Sequence, residues 1–292
     1  MTIKKILRTI GYAAFGIFVF IFLTYLHFPY NKLKDSLFSK IGRQSGVIIE
    51  AEDMKATLGL AVKLSDVSLS HQRMNFPTLE LESITLSPSL FSLVTLSPKI
   101  NFDVALKKGG LNGYFQTGGR QRVGLNLKKI QLQNEALKDK LNLDISGLLD
   151  GKISVSGNLH DTQTLSGDAR LDIKQFVLAK TKIMNMGLPE ITISEITLSS
   201  DLKQGTLLIK KFNAGGPAED LEAQAGGDIR LDSRNVMNSL ITINLKFKLS
   251  KKLQEEFSIF LPFIATALRP DGFYYLKLTG RLAAPLANPQ RS

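Results

Sequence analysis

The feature that most constrains the fold is a strict alternation of apolar and polar residues, which recurs from Val47 to the carboxyl end. In residues 241–249 every odd position is apolar and the even positions carry Thr, Asn and Lys, and residues 100–106 and 141–146 alternate in the same way. Successive side chains of a strand point to opposite faces, so each segment has one apolar and one solvated face. One-sided segments of this kind are typical of antiparallel sheets. The alternation therefore predicts a mainly β chain.

A second pattern predicts bends within the strands. Five segments place apolar residues in the order h-x-h-x-x-h-x-h, beginning at Val62, Leu79, Leu125, Leu171 and Ile191. No helix face fits this spacing, whereas a strand fits it if one extra residue at its centre resets the alternation. Such a residue forms a β-bulge or bend and increases the twist of the sheet. We expect an elongated, strongly curved antiparallel sheet, shaped as a trough, with a short amphipathic helix at each end.

A third pattern is a repeated hexapeptide. Residues 167–172 read Gly-Asp-Ala-Arg-Leu-Asp and residues 227–232 read Gly-Asp-Ile-Arg-Leu-Asp. Glycine inside a strand marks a bulge or a close approach of two backbones. We interpret these segments as repeated strand units within one β-rich domain that spans residues 47–292.

The amino terminus predicts a membrane anchor. Residues 1–9 form a basic tail, and residues 10–28 form an uncharged apolar run of the length that crosses a bilayer, about 20 residues. The alternative is a cleaved signal peptide, but residues 23–30 contain no small-residue cleavage site. We expect an uncleaved helix anchored by Ile10, Phe15, Ile17, Phe18, Val19, Phe20, Ile21, Phe22, Leu23 and Leu26.

The orientation of this anchor does not follow from charge alone. Three basic residues precede the apolar run and four follow it closely, so the tally of positive charges is nearly balanced. A short basic tail, an apolar run and then a long domain is the arrangement of a single-pass protein whose tail is cytoplasmic. We therefore expect the bulk of the chain on the other side of the membrane.

Two amphipathic segments flank the predicted sheet. Residues 29–46 predict a juxtamembrane helix that either lies on the membrane, with Lys34 and Lys40 near anionic headgroups, or closes one end of the sheet. Residues 251–268 predict a second helix, which Pro262 must kink or restart because it lacks an N–H. This helix either covers the apolar mouth of the sheet or forms a gate or second membrane contact through Phe257, Phe260 and Phe263. The candidate gate residues are Leu253, Phe257, Phe260, Leu261 and Ile264.

The composition argues against a catalytic or metal-binding function. The chain has no Cys and only three His, which excludes thiolate metal sites and thiol catalysis. It contains no nucleophile elbow, no His-Glu-x-x-His and no Gly-x-Gly-x-x-Gly. The acidic residues Glu219, Asp220 and Glu222 lack the spacing of a Ca²⁺ loop, and we expect a solvated turn there. We therefore expect no enzyme activity and no catalytic, cofactor-binding or metal-binding residues.

The charge distribution indicates a membrane surface as the partner. The net charge is +11, and the first fifty residues, which contain the apolar run, carry seven basic and two acidic side chains. Nucleic-acid binding instead requires a basic patch interleaved with stacking aromatic residues. We expect membrane lipids as partners, and neither nucleic acid nor a small-molecule substrate.

The order of several short motifs resembles a known family. The anchor is followed by Phe28-Pro-Tyr30, then by the segment Leu58–Leu69 with its Leu-Ser-Asp-Val-Ser-Leu ending, and the chain closes on Tyr275–Pro285. Together these resemble the type II secretion system protein N family, whose sheet is similar to AsmA-like proteins of the Gram-negative envelope. The resemblance covers nearly the whole chain. It implies an inner-membrane protein with a periplasmic β-rich domain, other type II secretion components as partners, and no catalytic residues.

These observations lead to three functional hypotheses. The first is a non-enzymatic periplasmic component of the type II secretion system, anchored in the inner membrane, whose sheet is a docking surface or a lipid-shielding groove. The alternative is an AsmA-like protein for phospholipid transfer or outer-membrane biogenesis, without a part in secretion. A periplasmic enzyme is the third, which the missing catalytic groups disfavour. Bound phospholipid is the one ligand expected, and the candidate groove consists of Ile241, Ile243, Leu245, Phe247 and Leu249.

Overall fold

The computed structural model describes most of the chain after residue 45. The described residues are 46–57, 60–71, 78–89, 97–132, 144–159, 161–183, 186–232, 235–259 and 261–290, with the isolated positions 12, 15, 16, 19, 20, 23, 34, 38, 39, 43 and 92. The chain divides into two compact units, residues 1–88 and residues 89–292. The sequence predicts a single domain from residue 47, and the structure distributes that stretch over both units.

The first unit contains three antiparallel strands in chain order. They are β1 (Val47–Thr57), β2 (Ala61–His71) and β3 (Leu79–Pro88). Leu64, Val67 and Leu81 are buried along one face of these strands. The ammonium group of Lys34 donates to the carbonyl oxygens of Ala51 and Glu52 in β1, at 2.7 and 3.0 Å. Lys34 therefore contacts the middle of β1. Most of residues 29–46 lie outside the described residues, so both interpretations of this segment stay predictions.

Only part of the predicted anchor lies within the described residues. Phe15, Val19, Phe20 and Leu23 are helical. The other predicted anchor residues lie outside the described residues, namely Ile10, Ile17, Phe18, Ile21, Phe22 and Leu26. Within the described part of the chain, no helix has both the length and the apolar character needed to cross a membrane. The anchor stays a prediction.

Within its described residues, the second unit contains eleven antiparallel strands, each paired with the next of the eleven along the chain, and a separate small hairpin. The eleven strands are β4 (Lys99–Ala105), β5 (Gly110–Gln116), β6 (Gln121–Gln131), β7 (Ile145–Gly157), β8 (Ser166–Leu178), β11 (Ile191–Lys203), β12 (Thr206–Ala214), β13 (Leu221–Arg230), β14 (Leu240–Leu249), β15 (Tyr274–Arg281) and β16 (Ala284–Pro289). The hairpin is formed by β9 (Thr181–Ile183) and β10 (Met186–Leu188). The prediction of a mainly β, antiparallel chain is confirmed.

Three of the five segments with the predicted bend spacing have a residue of positive φ at their centre, whereas the segments beginning at Leu79 and Ile191 have none. Asp66, Lys129 and Gln175 each stand at the centre of one of the five patterned segments and have φ of 49°, 48° and 53°. At Lys129 the register between β6 and β7 shifts, and its N–H bonds the Asp150 carboxylate at 3.0 Å. Because of this extra residue, Leu127 and Ile130 lie on the same face of the sheet.

The repeated hexapeptide begins with glycine for a steric reason. A Cβ at Gly167 would overlap the carbonyl oxygen of Ser154 in β7, and a Cβ at Gly227 would overlap that of Thr242 in β14. Both glycines therefore allow two strand backbones to approach closely, as glycine in a strand interior indicates.

The predicted helix over residues 251–268 is not continuous. Helix α1 covers Lys251–Glu256, begins at the Ser250 cap and is followed by a 3₁₀ turn over Leu261–Ala267. Pro262 cannot donate an intrahelical hydrogen bond and its ring clashes with the carbonyl one turn earlier, so an α-helix cannot run through this position. Phe260 lies outside the described residues.

Candidate functional site

One face of strands β4–β8 is apolar from edge to edge. The cross-strand register places Leu111 opposite Leu127, and Leu125 opposite Ile153, on a shared face. We call this surface the apolar face; its members are Phe102, Val104, Leu111, Phe115, Val123, Leu125, Leu127, Ile130, Leu149, Ile153, Val155, Leu171 and Ile173. The intervening residues of the same strands, such as Asn126 and Lys152, pair with each other on the opposite face.

The apolar face remains accessible in the part of the chain that the structure describes. Among its members only Val104 is buried, and all the others are half-buried. A sheet normally buries its apolar face completely against a second layer of structure. The apolar face therefore offers hydrocarbon surface to a ligand or partner.

Glycines shape this face. A Cβ at Gly113 would lie 2.7 Å from the ring of Phe102, and a Cβ at Gly151 would lie 2.6 Å from a methyl group of Leu171. These two positions hold no side chain, so the neighbouring side chains lie flat across the strands. The alternation in the sequence identifies these strands, but the glycines within them are the signal that would have located the apolar face.

The sheet is covered at the end where β14 finishes and β15 begins. Leu253 of α1 is fully buried, and Leu261 and Ile264 of the 3₁₀ turn pack against buried Tyr274 and Leu276. We call α1 and this turn the end plug. Of the predicted gate residues, Leu253, Phe257, Leu261 and Ile264 are buried or half-buried, which supports the covering interpretation. Phe260 cannot be placed, because it lies outside the described residues.

The predicted groove on β14 is largely filled by the chain itself. Ile241, Ile243, Leu245, Phe247 and Leu249 share one face, as the alternation predicts. However, Leu245 and Phe247 pack against the cluster formed by Ala267, Tyr274 and Leu276. Ile241 is buried. A second cluster, centred on Ile193, Ala214 and Ala223, extends this packing across β11–β13. Ile243 and Leu249 remain half-buried, as do most members of the apolar face. What distinguishes β14 is the packing of its Leu245 and Phe247 against the Tyr274 cluster.

Sequence reasoning missed one bend that belongs to this packing. Leu207, Ile209, Phe212 and Ala214 in β12 have the same spacing as the five predicted segments, with Lys210 and Lys211 at the centre. The register between β12 and β13 shifts at this point, and Phe212 and Ala214 enter the Ile193 cluster. The small side chain of Ala214 weakens the apolar signal, which explains the omission.

Strand β16 is a poor template for another strand. The N–H of Gln290 donates to the Tyr275 oxygen at 2.9 Å, so even-numbered residues of β16 direct their backbone groups toward β15. The backbone N–H and C=O groups of the odd-numbered residues then point away from β15. Two of these residues are Pro285 and Pro289. Because proline has no N–H, this edge offers an outward N–H only at Ala287, and strand addition is blocked.

The acidic residues in the turn before β13 have structural partners. Glu219 accepts hydrogen bonds from the N–H and hydroxyl of Ser194, at 2.8 and 2.6 Å, and Asp220 pairs with Lys252 at 3.3 Å. Glu219 and Asp220 therefore link the turn before β13 to β11 and α1, whereas the sequence predicts a solvated turn. No group of residues within the described ranges could hold a metal ion.

Asp271 is held in its charged form next to the end plug. Its carboxylate accepts from the hydroxyl of Tyr275 at 2.8 Å and from the N–H of Phe273 at 3.1 Å. The hydrogen bond from Tyr275 is the main cause that lowers the pKa of Asp271, and nearby Lys246 and Arg269 add to it. These cations also lie over the rings of Phe273 and Tyr275, each 4.0 Å from the ring centre.

Comparison with known proteins adds no relative to these observations: no family model, no curated protein and no solved structure matches the chain.

Proposed function

We propose that this chain is a non-enzymatic, membrane-anchored protein of the cell envelope whose apolar face shields the acyl chains of phospholipids. The observation that supports the proposal is the apolar face itself, whose members on β5–β8 are half-buried across four adjacent strands. The bends at Lys129 and Gln175 keep both halves of the long strands apolar on this face. In the proposal they coil the sheet into a trough that encloses the hydrocarbon.

The dimensions and energetics of the face suit a lipid tail. A strand of 13 residues, such as β7 or β8, is about 40 Å long. The hydrocarbon of a bilayer, which holds two layers of tails, is about 30 Å thick, so the strands are longer than one tail. Each methylene that leaves water for an apolar surface contributes about 0.8 kcal/mol. A non-specific hydrocarbon face therefore supplies ample affinity without polar recognition groups.

The structure favours hydrocarbon over an extended peptide as the occupant. An added peptide strand needs outward N–H and C=O groups at a sheet edge. Pro285 and Pro289 remove most of the outward N–H groups from β16, the last strand of the second unit. The apolar face, by contrast, is a surface of hydrocarbon side chains, and such a surface suits an apolar ligand.

Lipid analysis of the full chain tests the proposal. We expect phospholipid to accompany the wild-type protein through purification in a mild detergent, as measured by mass spectrometry. Replacement of Leu125 and Ile153 by Asn should lower the bound phospholipid severalfold, because polar groups then occupy the apolar face. The matched control is Lys152→Asn, on the other side of the same strand, which should retain the lipid. Absence of phospholipid from the wild-type protein, or equal loss in the control, would contradict the proposal.

We further propose that the protein works within a type II secretion system in the inner membrane. The support is the sequence resemblance described above, with its anchor, short helix and closing Tyr275–Pro285 segment. Deletion of the gene should then reduce export of type II substrates into the medium. Normal export from the deletion strain would instead favour the alternative, phospholipid transfer or outer-membrane biogenesis outside secretion.

A further inference from the structure

Two turns meet at the end of β14 that is opposite the end plug. The loop between β13 and β14 contains a 3₁₀ turn over Val236–Asn238, and a tight turn at Leu282 and Ala283 joins β15 to β16. The N–H of Leu282 donates to the Ser239 oxygen at 2.8 Å, and the N–H of Ala283 donates to the Met237 oxygen at 3.0 Å. These hydrogen bonds hold both turns together as one structure, which we call the loop tip.

The loop tip exposes a concentration of large apolar side chains. The exposed fractions are 60% for Val236, 56% for Met237, 49% for Leu240, 38% for Leu282 and 65% for Leu286. Single exposed apolar residues are ordinary on protein surfaces, whereas a contiguous group indicates an interaction site.

The turn that presents these residues is well ordered by hydrogen bonds. Ser239 is fully buried and its hydroxyl accepts from the N–H of Asp232 at 3.1 Å. The side chain of Asn235 accepts from the N–H of Met237 at 3.0 Å and caps the 3₁₀ turn. The exposure of Val236 and Met237 is therefore imposed by the backbone of a defined turn.

Two arginines flank the apolar group. The register places Arg230 opposite Leu240 and Leu240 opposite Arg281, so one row across three strands reads Arg, Leu, Arg. Neither arginine forms a salt bridge with any residue that the structure describes. Two acidic residues lie nearby. Asp228 stands two residues before Arg230 in β13. The carboxylate of Asp232 accepts a hydrogen bond from the N–H of Asn235 at 2.9 Å.

We propose that the loop tip is a membrane-contact site for a bilayer surface that contains anionic phospholipids. The apolar residues enter the headgroup boundary, and Arg230 and Arg281 bind lipid phosphates, which is the arrangement of interfacial protein segments. A specific protein partner would need about 800 Å² on each side. A site built from the ends of two turns suits a fluid surface better. This inference stands apart from the proposed binding of acyl chains, because the apolar face contributes no residue to the loop tip.

The test uses the full chain with its predicted anchor held in nanodiscs of phosphatidylcholine. Binding is measured by co-sedimentation with sucrose-loaded vesicles, composed of phosphatidylcholine alone or with about one third phosphatidylglycerol. Empty nanodiscs give the background. We expect the protein to bind the anionic vesicles and to bind the neutral vesicles weakly.

Three double variants separate the contributions. Val236→Ser with Met237→Ser should weaken binding to anionic vesicles about tenfold. Arg230→Gln with Arg281→Gln should reduce binding to the level of neutral vesicles. Leu148→Ser with Leu159→Ser is the matched control, since these residues are 36% and 40% exposed in and just after β7, which contributes nothing to the loop tip, and it should leave binding unchanged.

Three outcomes would overturn the inference. They are binding no greater than that of empty nanodiscs, equal loss in the control variant, and self-association of the wild-type chain that Val236→Ser abolishes. The last would make a second copy the partner. None of these outcomes affects the phospholipid measurement on the wild-type protein and on the variant with Leu125 and Ile153 replaced. The proposal of membrane contact and the proposed function can therefore fail independently.

Discussion

The ring of Phe247 in β14 stacks on the ring of Tyr274 in β15, with centroids 5.2 Å apart and an interplanar angle of 17°. Phe247 also packs against the cluster centred on Ile193. One side chain thus joins the cluster centred on Ile193 to the cluster of Ala267, Tyr274 and Leu276. This end of the sheet is a structural core, and the proposed ligand-binding surface is the apolar face on β4–β8.

Phe247→Ala should lower the free energy of unfolding by about 3–5 kcal/mol, because it leaves a cavity between two clusters. Phe263→Ala is the matched control, since Phe263 is 80% exposed beside the same end plug and its loss should change the free energy by less than about 0.5 kcal/mol. Urea denaturation followed by circular dichroism measures both. Equal effects would show that the end plug does not pack as described.

Gly227→Ala should destabilise the protein by about 1–3 kcal/mol, because the new methyl group would overlap the Thr242 oxygen of the adjacent strand. Gly227 also has φ of 151°, which favours glycine. The neighbouring Gly226→Ala is the control, since the nearest atom to its Cβ would be the Ile209 oxygen at an ordinary 3.6 Å. If both variants unfold at the same urea concentration, the repeated hexapeptide has another explanation.

Asp271 should contribute stability that depends on pH. Its pKa in the folded protein is lowered, chiefly by the hydrogen bond from Tyr275. The contribution is therefore fully present above the ordinary Asp pKa and is lost as the pH falls through the lower folded value. Asp271→Asn should reduce the melting temperature at neutral pH, and the difference from wild type should shrink on acidification below the ordinary pKa of 3.8. A difference that is constant from neutral to acid pH would contradict this assignment.

Pro285 and Pro289 should protect the chain from edge-to-edge association. Replacing both with Thr restores two outward N–H groups on β16, and we expect self-association to increase with protein concentration. The control replaces Ala287 with Thr, which changes the same edge strand but adds no N–H group. Light scattering of the three proteins in detergent measures the effect. If the double variant scatters like the wild type, the outward face of β16 is protected by another element.

The sequence predicts local properties of this fold better than tertiary ones. Alternation is a property of each strand, so the shared face of Ile241 through Leu249 and the bend at Lys129 could be read directly. Which part of the apolar sheet is covered depends on contacts between segments distant in the chain. The packing of Phe247 against the Tyr274 cluster is one of these, and it is the reason why we place the proposed lipid-binding surface on β4–β8.

The helix predicted over residues 251–268 shows a related limit. Its apolar spacing indicates one continuous face, whereas Pro262 predicts a kink or restart, and the structure has α1 followed by a separate 3₁₀ turn. The loop tip was not predicted at all, because its residues come from two separate segments of the sequence, Val236 and Met237 from one and Leu286 from the other. Only the hydrogen bonds between the two turns bring them together.

The most direct test of the account places a photocrosslinking benzoylphenylalanine at position 153 or at position 152 of the full chain in native membranes. The two positions are adjacent in β7, with Ile153 on the apolar face and Lys152 on the opposite face. The account predicts that irradiation attaches phospholipid to the protein at position 153 and not at position 152, as measured by the mass of the purified adduct. Adducts of equal yield at both positions, or attachment of position 153 to protein alone, would contradict it.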